Sequence, residues 1–300
     1  MASLKDIRRR ITSVASTQKI TRAMKMVAAA KLRRAQEQAE SFRAYAEQTS
    51  AILAEVSRGA TGEDHALLER RERVERSVTL VIAADRGLCG GFNTNLNRHV
   101  LTAVEGAETR PELELIGRKA REFFVRRDVV IREFYDGVYD ELGYDTAARI
   151  AGRLAAQYAA GEVDRIDLAF NELISVVSQR PTIRPLLPVA LPAAKEDAKD
   201  GGETGGEDAG GLSPAGFIFE PRRKELLGRL LPMYVEVQVH RALLESVAAE
   251  HAARMTAMDN ATNNAADMID HLTLVYNRAR QGAITSELMD IVGGAEALGE

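Results

Sequence analysis

The sequence predicts a long antiparallel pair of N- and C-terminal helices with an α/β domain inserted between them, an α/β plus coiled-coil architecture. Three observations carry this. From Met233 to Val292 there is no proline, no glycine until Gly282, and a strict four–three alternation of small and apolar residues. The first 58 residues carry a second seam of the same kind, with no glycine or proline before Gly59. Between them the period changes to short runs of branched residues, and Val78 to Ala84 is a continuous apolar run of the type found in strands buried on both faces.

The first helix begins its seam at Leu4, Ile7, Ile11 and Val14. The seam turns polar around Gln18 and Thr21, then resumes as Met24, Ala28, Leu32, Ala35, Ala39, Phe42, Ala46, Thr49, Leu53 and Val56. Residues 58–76 are polar and charged and read as a surface linker. The strand at 78–84 ends in Asp85-Arg86-Gly87-Leu88-Cys89-Gly90-Gly91-Phe92-Asn93, and Leu96, Val100, Leu101 and Val104 follow at helical spacing. Strand, glycine turn and helix open an α/β unit. Leu113–Ile116 reads as a second strand, followed by Gly117 and a helix through Phe123 and Phe124. Residues 129–131 read as a third strand, and Ala147, Ile150, Leu154 and Tyr158 as a helix face. Residues 163–170, 173–177 and 188–191 read as further strands, giving a Rossmann-like, largely parallel sheet over 77–220. Residues 193–216 hold six acids and two bases among paired glycines; they cannot bury a core and read as a mobile hairpin tip before a short strand at Phe217–Phe219. Pro221 and Pro232 bracket a short helix containing Leu226, Leu227, Leu230 and Leu231.

The last helix, within an arm of residues 222–295, runs its seam through Leu244, Ala248, His251, Met255, Met258, Thr262, Ala265, Ile269, Leu272, Tyr276, Ala279 and Ala283. The frame then slips by one and continues as Ile284, Leu288, Ile291 and Val292, a stutter. Some sixty helical residues make a rod of roughly 90 Å, so a slender shaft with a head or foot at one end is expected. Seams rich in alanine and threonine bury little area each but let two helix axes approach closely.

Composition limits the function. With 45% hydrophobic and 28% charged residues, the chain falls in the soluble, folded class. Its formal net charge of -4 argues against a general polyanion binder. The single cysteine, Cys89, excludes an intramolecular disulfide or a thiolate zinc site and suits a reducing compartment. No apolar run has the length of a membrane span, and Met1 leads directly into the first helical pattern, so a bacterial cytoplasmic protein is expected.

Charge is unevenly distributed. Residues 1–34 hold ten bases against one acid, Asp6. A nucleic-acid-binding arm, a membrane-surface helix, a rod passing through an acidic protein collar and a plain solvated face are all compatible with that excess. The glycine turn at 87–91 matches neither the dinucleotide nor the P-loop pattern, and no lysine or magnesium-holding acid follows it. Tight turning and close helix–strand approach explain its glycines better than a phosphate does. No nucleophile elbow and no HExxH pair is present. No catalytic residue, cofactor site or metal site is expected.

Several long, ordered segments resemble the γ subunits of the F-type ATP synthase. They are Thr17-Gln18-Lys19-Ile20-Thr21 with Ala23-Met24-Lys25-Met26-Val27-Ala28, the turn Asp85 to Asn93, Glu250-His251-Ala252-Ala253-Arg254-Met255, Leu274 to Gln281, and Ile284-Thr285-Ser286-Glu287-Leu288 with Gly293-Gly294-Ala295. The resemblance implies a non-catalytic rotor shaft. Its helix pair would stand in an α3β3 hexamer and its α/β domain would form a foot with the ε subunit and the membrane c-ring, peripheral to the cytoplasmic face of the bacterial plasma membrane. It further implies hexamer contacts at Met24, Lys25, Arg280, Gln281 and Thr285, c-ring or foot contacts at Tyr234 and Glu236, and no nucleic-acid partner. It assigns no role to residues 193–216, and the lone Cys89 leaves no regulatory dithiol of the chloroplast kind.

Overall fold

The computed structural model describes residues 3–57, 65–140, 142–190 and 222–297. Two compact units emerge, Met1–Ala30 with Arg254–Glu300, and Lys31–Ala253.

The first unit is a helix pair. Helix α1 (Leu4–Val56) is started by a capping box: Ser3 Oγ accepts from Asp6 N at 3.2 Å, and Asp6 Oδ2 accepts from Ser3 N at 3.2 Å. Its partner is helix α5 (Arg223–Ala297). Thr21 Oγ1 lies 2.8 Å from Thr262 Oγ1, and Lys25 Nζ lies 2.6 Å from Asp259 Oδ1. One number rises as the other falls, so the helices run antiparallel. The expected seam positions Met258, Thr262, Ala265, Ile269, Leu272, Tyr276, Ala279 and Ala283 are all buried or half-buried. The stripe expected beyond the stutter is not covered within this unit: Ile284, Leu288, Ile291 and Val292 are all at least half exposed.

The second unit is a three-layer α/β body. Strands β1 (Ser77–Ile82), β2 (Glu112–Ile116), β3 (Ile131–Tyr135), β4 (Arg165–Ser175) and β5 (Ser178–Leu187) form one sheet in the order β3-β2-β1-β4-β5. The first four are mutually parallel, and β5 runs antiparallel to β4. Strand periodicity divides the core. Val78, Leu80 and Ile82 face a layer built from α4 (Tyr144–Ala159), Leu53 and Val56 of α1, and Leu227, Leu231, Val235 and Val239 of α5. Val81 and Ala83 face the other way, onto α2 (Phe92–Gly106) and α3 (Arg118–Phe124), through Leu96, Val100, Ala120 and Phe124.

Several expectations are corrected here. The strands read at 163–170 and 173–177 are one strand, β4. Its polar interruption is satisfied locally: Asn171 donates to the Phe92 carbonyl at 3.3 Å, and Glu172 pairs with Arg180 and Arg184 across the hairpin. The following strand is 178–187 rather than 188–191; Pro188, Val189 and Ala190 lie outside it and Leu191 outside the described residues. Pro181 and Pro185 hid it, yet β5 is an edge strand, where a missing N–H can face solvent. The third strand is 131–135 rather than 129–131. Pro232 does not end a short helix but lies inside α5, because the buried stripe Leu227, Leu231, Val235 and Val239 continues across it and outweighs the lost backbone bond. Part of the surface linker at 58–76 belongs to the core: Leu67 is buried and its carbonyl accepts from Val189 N at 2.9 Å. Residues 58–64, the acidic stretch 193–216 and the strand read at 217–219 lie outside the described residues.

Candidate functional site

The glycine turn illustrates how a phosphate-like sequence serves packing. Asn93 Oδ1 accepts from Ala84 N at 2.9 Å, and its amide reaches Cys89 Sγ at 3.2 Å. Cys89 and Phe92 pack with Ala84, Ala249 and Ala253 of α5 in a small core of their own. Gly90 takes a left-handed φ of 59°, as a tight turn needs, while Gly87 has open space around it. Asp85 Oδ1 accepts from Arg118 N at 2.9 Å, so the acid at the strand's end is committed to the neighbouring loop. The turn also presents Leu88, 65% exposed with φ at 62°, which no sequence signal announced.

The residues singled out for contacts fall into three places. Met24 and Lys25 are half-buried on α1, and the Lys25 ammonium is already engaged by Asp259. Spacing alone did not reveal that pair; the register set by Thr21 and Thr262 does. Around it, Arg8, Arg9, Arg10, Lys19 and Arg22 are exposed and form no ion pair among the described residues. Arg280, Gln281 and Thr285 are exposed on α5, and Thr285 Oγ1 only donates to the Gln281 carbonyl at 3.0 Å within its own helix. Exposed Ile284, Leu288, Met289, Ile291 and Val292 follow them, so polar donors and an apolar stripe share one helix end.

Tyr234 and Glu236 are turned to the α/β body. Tyr234 packs against the larger core, where burial raises its phenol above the ordinary range. Glu236 accepts from Tyr144 Oη at 2.9 Å; burial, then this bond to a carboxylate, pushes the Tyr144 phenol upward too. Both residues are thus partly committed within the chain.

Among the described residues, no group of three or more histidine, cysteine or carboxylate side chains is placed to hold a metal ion. No described helix is long and apolar enough to cross a membrane. What the molecule offers is surface: a basic helix face, an apolar helix end and an exposed loop tip.

Comparison with known proteins follows the same lines. A family model described as ATP synthase matches residues 3–298. The ATP synthase gamma chain of Pelotomaculum thermopropionicum is 45% identical over 298 residues, covering 99% of this chain and 100% of that one. That of Anaeromyxobacter sp. strain Fw109-5 is 47% identical over 304 residues, with 99% and 100% covered. Among solved structures, a chain of the rotor of the Euglena gracilis mitochondrial ATP synthase superposes with a TM-score of 0.62 at 21% identity, covering 94% of this chain and 98% of that one. A chain from another structure of that synthase, containing OSCP, F1 and the c-ring, gives 0.64 at 21% identity, with 98% and 94% covered. The structural likeness bears on the fold, a pair of long terminal helices and a mixed sheet.

Proposed function

The chain belongs to the ATP synthase gamma-chain family, and from that premise we propose that it is the central rotor shaft of a proton-driven ATP synthase, a non-catalytic subunit that couples turning of a membrane c-ring to cycling of three catalytic β sites. The single observation that carries this reading is full-length likeness at 45% identity to a gamma chain. The antiparallel helix pair supports it physically.

A shaft has no bond to make or break. It does its work by touching alternative conformations of the surrounding sites unequally, because only differential contact shifts their populations. An asymmetric surface is therefore required, and this chain has one: bases crowd one arm, while Ile284, Leu288, Ile291 and Val292 present apolar surface near Arg280 and Gln281. On this reading, residues 1–58 and 222–295 are the helical arms and 77–220 the α/β body. Met24, Lys25, Arg280, Gln281 and Thr285 meet the α3β3 hexamer. Tyr234 and Glu236 lie toward the c-ring and the ε subunit, at the cytoplasmic face of the bacterial plasma membrane. The partial commitment of Tyr234 and Glu236 inside the chain makes them the weaker pair of contacts.

The two other readings of the sequence, a basic nucleic-acid-binding coiled coil and a nucleotide-using α/β enzyme, gain no support from the family match or from the glycine turn, whose polar groups are spent on packing. The test is reconstitution. The chain, mixed with α and β subunits of a bacterial synthase, is expected to co-purify as one complex and to confer ATP hydrolysis that drives proton pumping once the membrane part is added. Binding of DNA or free nucleotide without assembly would overturn the proposal.

A further inference from the structure

Within the helix pair, Thr21 and Thr262 form a polar layer between the helices. Thr21 Oγ1 and Thr262 Oγ1 lie 2.8 Å apart, and Thr21 is buried. Each hydroxyl is also placed to donate to its own helix, Thr21 to the Gln18 carbonyl at 3.0 Å and Thr262 to the Met258 carbonyl at 2.7 Å. With one proton each, one threonine donates across the seam to the other's oxygen while the second keeps its own helix bond, so the cross-helix hydrogen bond exists only while the two oxygens stay together. One turn away, Lys25 Nζ and Asp259 Oδ1 meet at 2.6 Å, both side chains less than half exposed. The residue numbers of these two pairs sum to 283 and 284. Continued along the helices, that register sets Ile11 against Leu272, Val14 against Ile269 and Ala28 against Met255, layers that are apolar and carry no directional bond.

We infer that the Thr21–Thr262 and Lys25–Asp259 layer is a register lock, a device that fixes the axial position of α1 against α5 within this unit. A seam of alanine, methionine and branched residues attracts without choosing a position, since dispersion and burial are non-directional. A slide of one heptad sets Thr21 against Met255 or Ile269, which replaces the cross-helix hydrogen bond with an apolar neighbour and separates the ion pair. Polar layers in otherwise apolar seams specify register in this way at some cost in stability. The inference concerns the chain alone and holds whether or not it turns inside a synthase.

The test uses the full-length chain with Cys89→Ala, spin-labelled through Arg22→Cys and Asn263→Cys, both exposed positions, and reads the distance distribution between the labels. The otherwise unaltered chain and Thr21→Ser with Thr262→Ser, which keeps both hydroxyls, are expected to give one narrow distance. Thr21→Val and Thr262→Val combined with Lys25→Met and Asp259→Leu is expected to keep its helix content but roughly double the width or add a second population. An unchanged narrow distribution in this apolar variant overturns the lock, because packing alone would then hold the register. Should the apolar variant lose helix, the swap Lys25→Asp with Asp259→Lys decides: it keeps one cation facing one carboxylate and is expected to stay narrow, and broadening there overturns the proposal.

Discussion

Gly117 passes the end of strand β1 so closely that a Cβ added to it would lie 2.0 Å from the carbonyl oxygen of Ala83. Its φ of 95° is also one that side-chain-bearing residues rarely adopt. Both constraints act on backbone, so neither a rotamer change nor a flexible side chain can relieve them. Gly117→Ala is expected to destabilise the α/β body by about 3 kcal/mol or more, read as a drop in the urea midpoint. Gly87→Ala, where the added atom meets nothing within 4 Å, is expected to cost under about 1 kcal/mol.

His240 lies edge-on to Phe42, with ring centroids 4.6 Å apart, and beside Tyr144 at 5.6 Å; its Nδ1 is buried without a hydrogen bond. Burial lowers its pKa below the usual 6.5, so the folded state resists protonation more than the unfolded one. Stability is then intact above pH 6.5 and is lost as pH falls through the lowered value. Chemical denaturation at pH 7.5 and pH 5.5 is expected to show a loss of order 1 kcal/mol. His240→Phe should shrink that difference, leaving the smaller share of His65, which burial also lowers.

How far these features were legible in the sequence follows from the kind of interaction behind each. The heptad seam was readable because a helix that buries one stripe repeats it, and its positions from Met258 to Ala283 are buried or half-buried. Val78–Ile82 was readable because a central parallel strand is buried on both faces and, Thr79 apart, apolar. Strand β5 was not, since two prolines and five charged or polar partners of β4 mask an edge strand whose pairing is decided by residues across the hairpin. Glu172 fell in the gap between the strands read at 163–170 and 173–177, because the partners that hold it in β4, Arg180 and Arg184, lie across the hairpin. Lys25 looked like part of a free basic face, because its partner Asp259 is 234 residues away. Arg280 and Gln281 are exposed, and a contact with another subunit is a property that a single chain's sequence and fold do not encode in its own hydrogen bonds.

Glu172 ties β4 to β5, accepting from Arg180 Nη2 at 2.6 Å and from Arg184 Nη2 at 2.5 Å. The hydrogen bond from Arg180, then the nearby guanidinium charges, hold its carboxyl below the usual 4.5. A lowered carboxylate contributes stability above 4.5 that disappears as pH falls through the folded value. Both arginines are substantially exposed, so Glu172→Gln is expected to cost only about 1 kcal/mol at pH 7 after solvent screening. The variant's thermal midpoint should approach that of the unaltered chain as pH falls below 4.5 through that lowered value.

Arg280 and Gln281 are exposed, between the half-buried seam positions Ala279 and Ala283. Replacing both by alanine is expected to change chain stability by less than about 0.5 kcal/mol. In the assembled synthase, each lost polar contact should cost roughly 1–3 kcal/mol at the positions where it is made. ATP turnover is therefore expected to fall at least tenfold while helix content stays constant. Turnover equal to that of the unaltered complex withdraws these two residues from the hexamer contact.

Lys25 separates two roles that one substitution would confuse. Its ammonium is held by Asp259 at 2.6 Å, yet both side chains remain about two-fifths exposed, so the pair can also meet a third charge. Lys25→Glu alone places two carboxylates together and should loosen the helix pair by about 1 kcal/mol, more than the loss of a screened surface pair. Any coupling defect in that variant could then come from the chain itself. Adding Asp259→Lys restores an opposite-charge pair with its direction reversed, and the helix pair should recover its thermal midpoint. If an acidic collar of the hexamer also reads position 25, proton pumping per ATP hydrolysed stays low in this double variant. That residual defect eases as salt rises, because screening shortens the reach of repulsion to about 8 Å at physiological strength. If pumping recovers together with the midpoint, Lys25 serves Asp259 alone, and the exposed bases Arg8, Arg9, Arg10, Lys19 and Arg22 are left as the candidates for the collar.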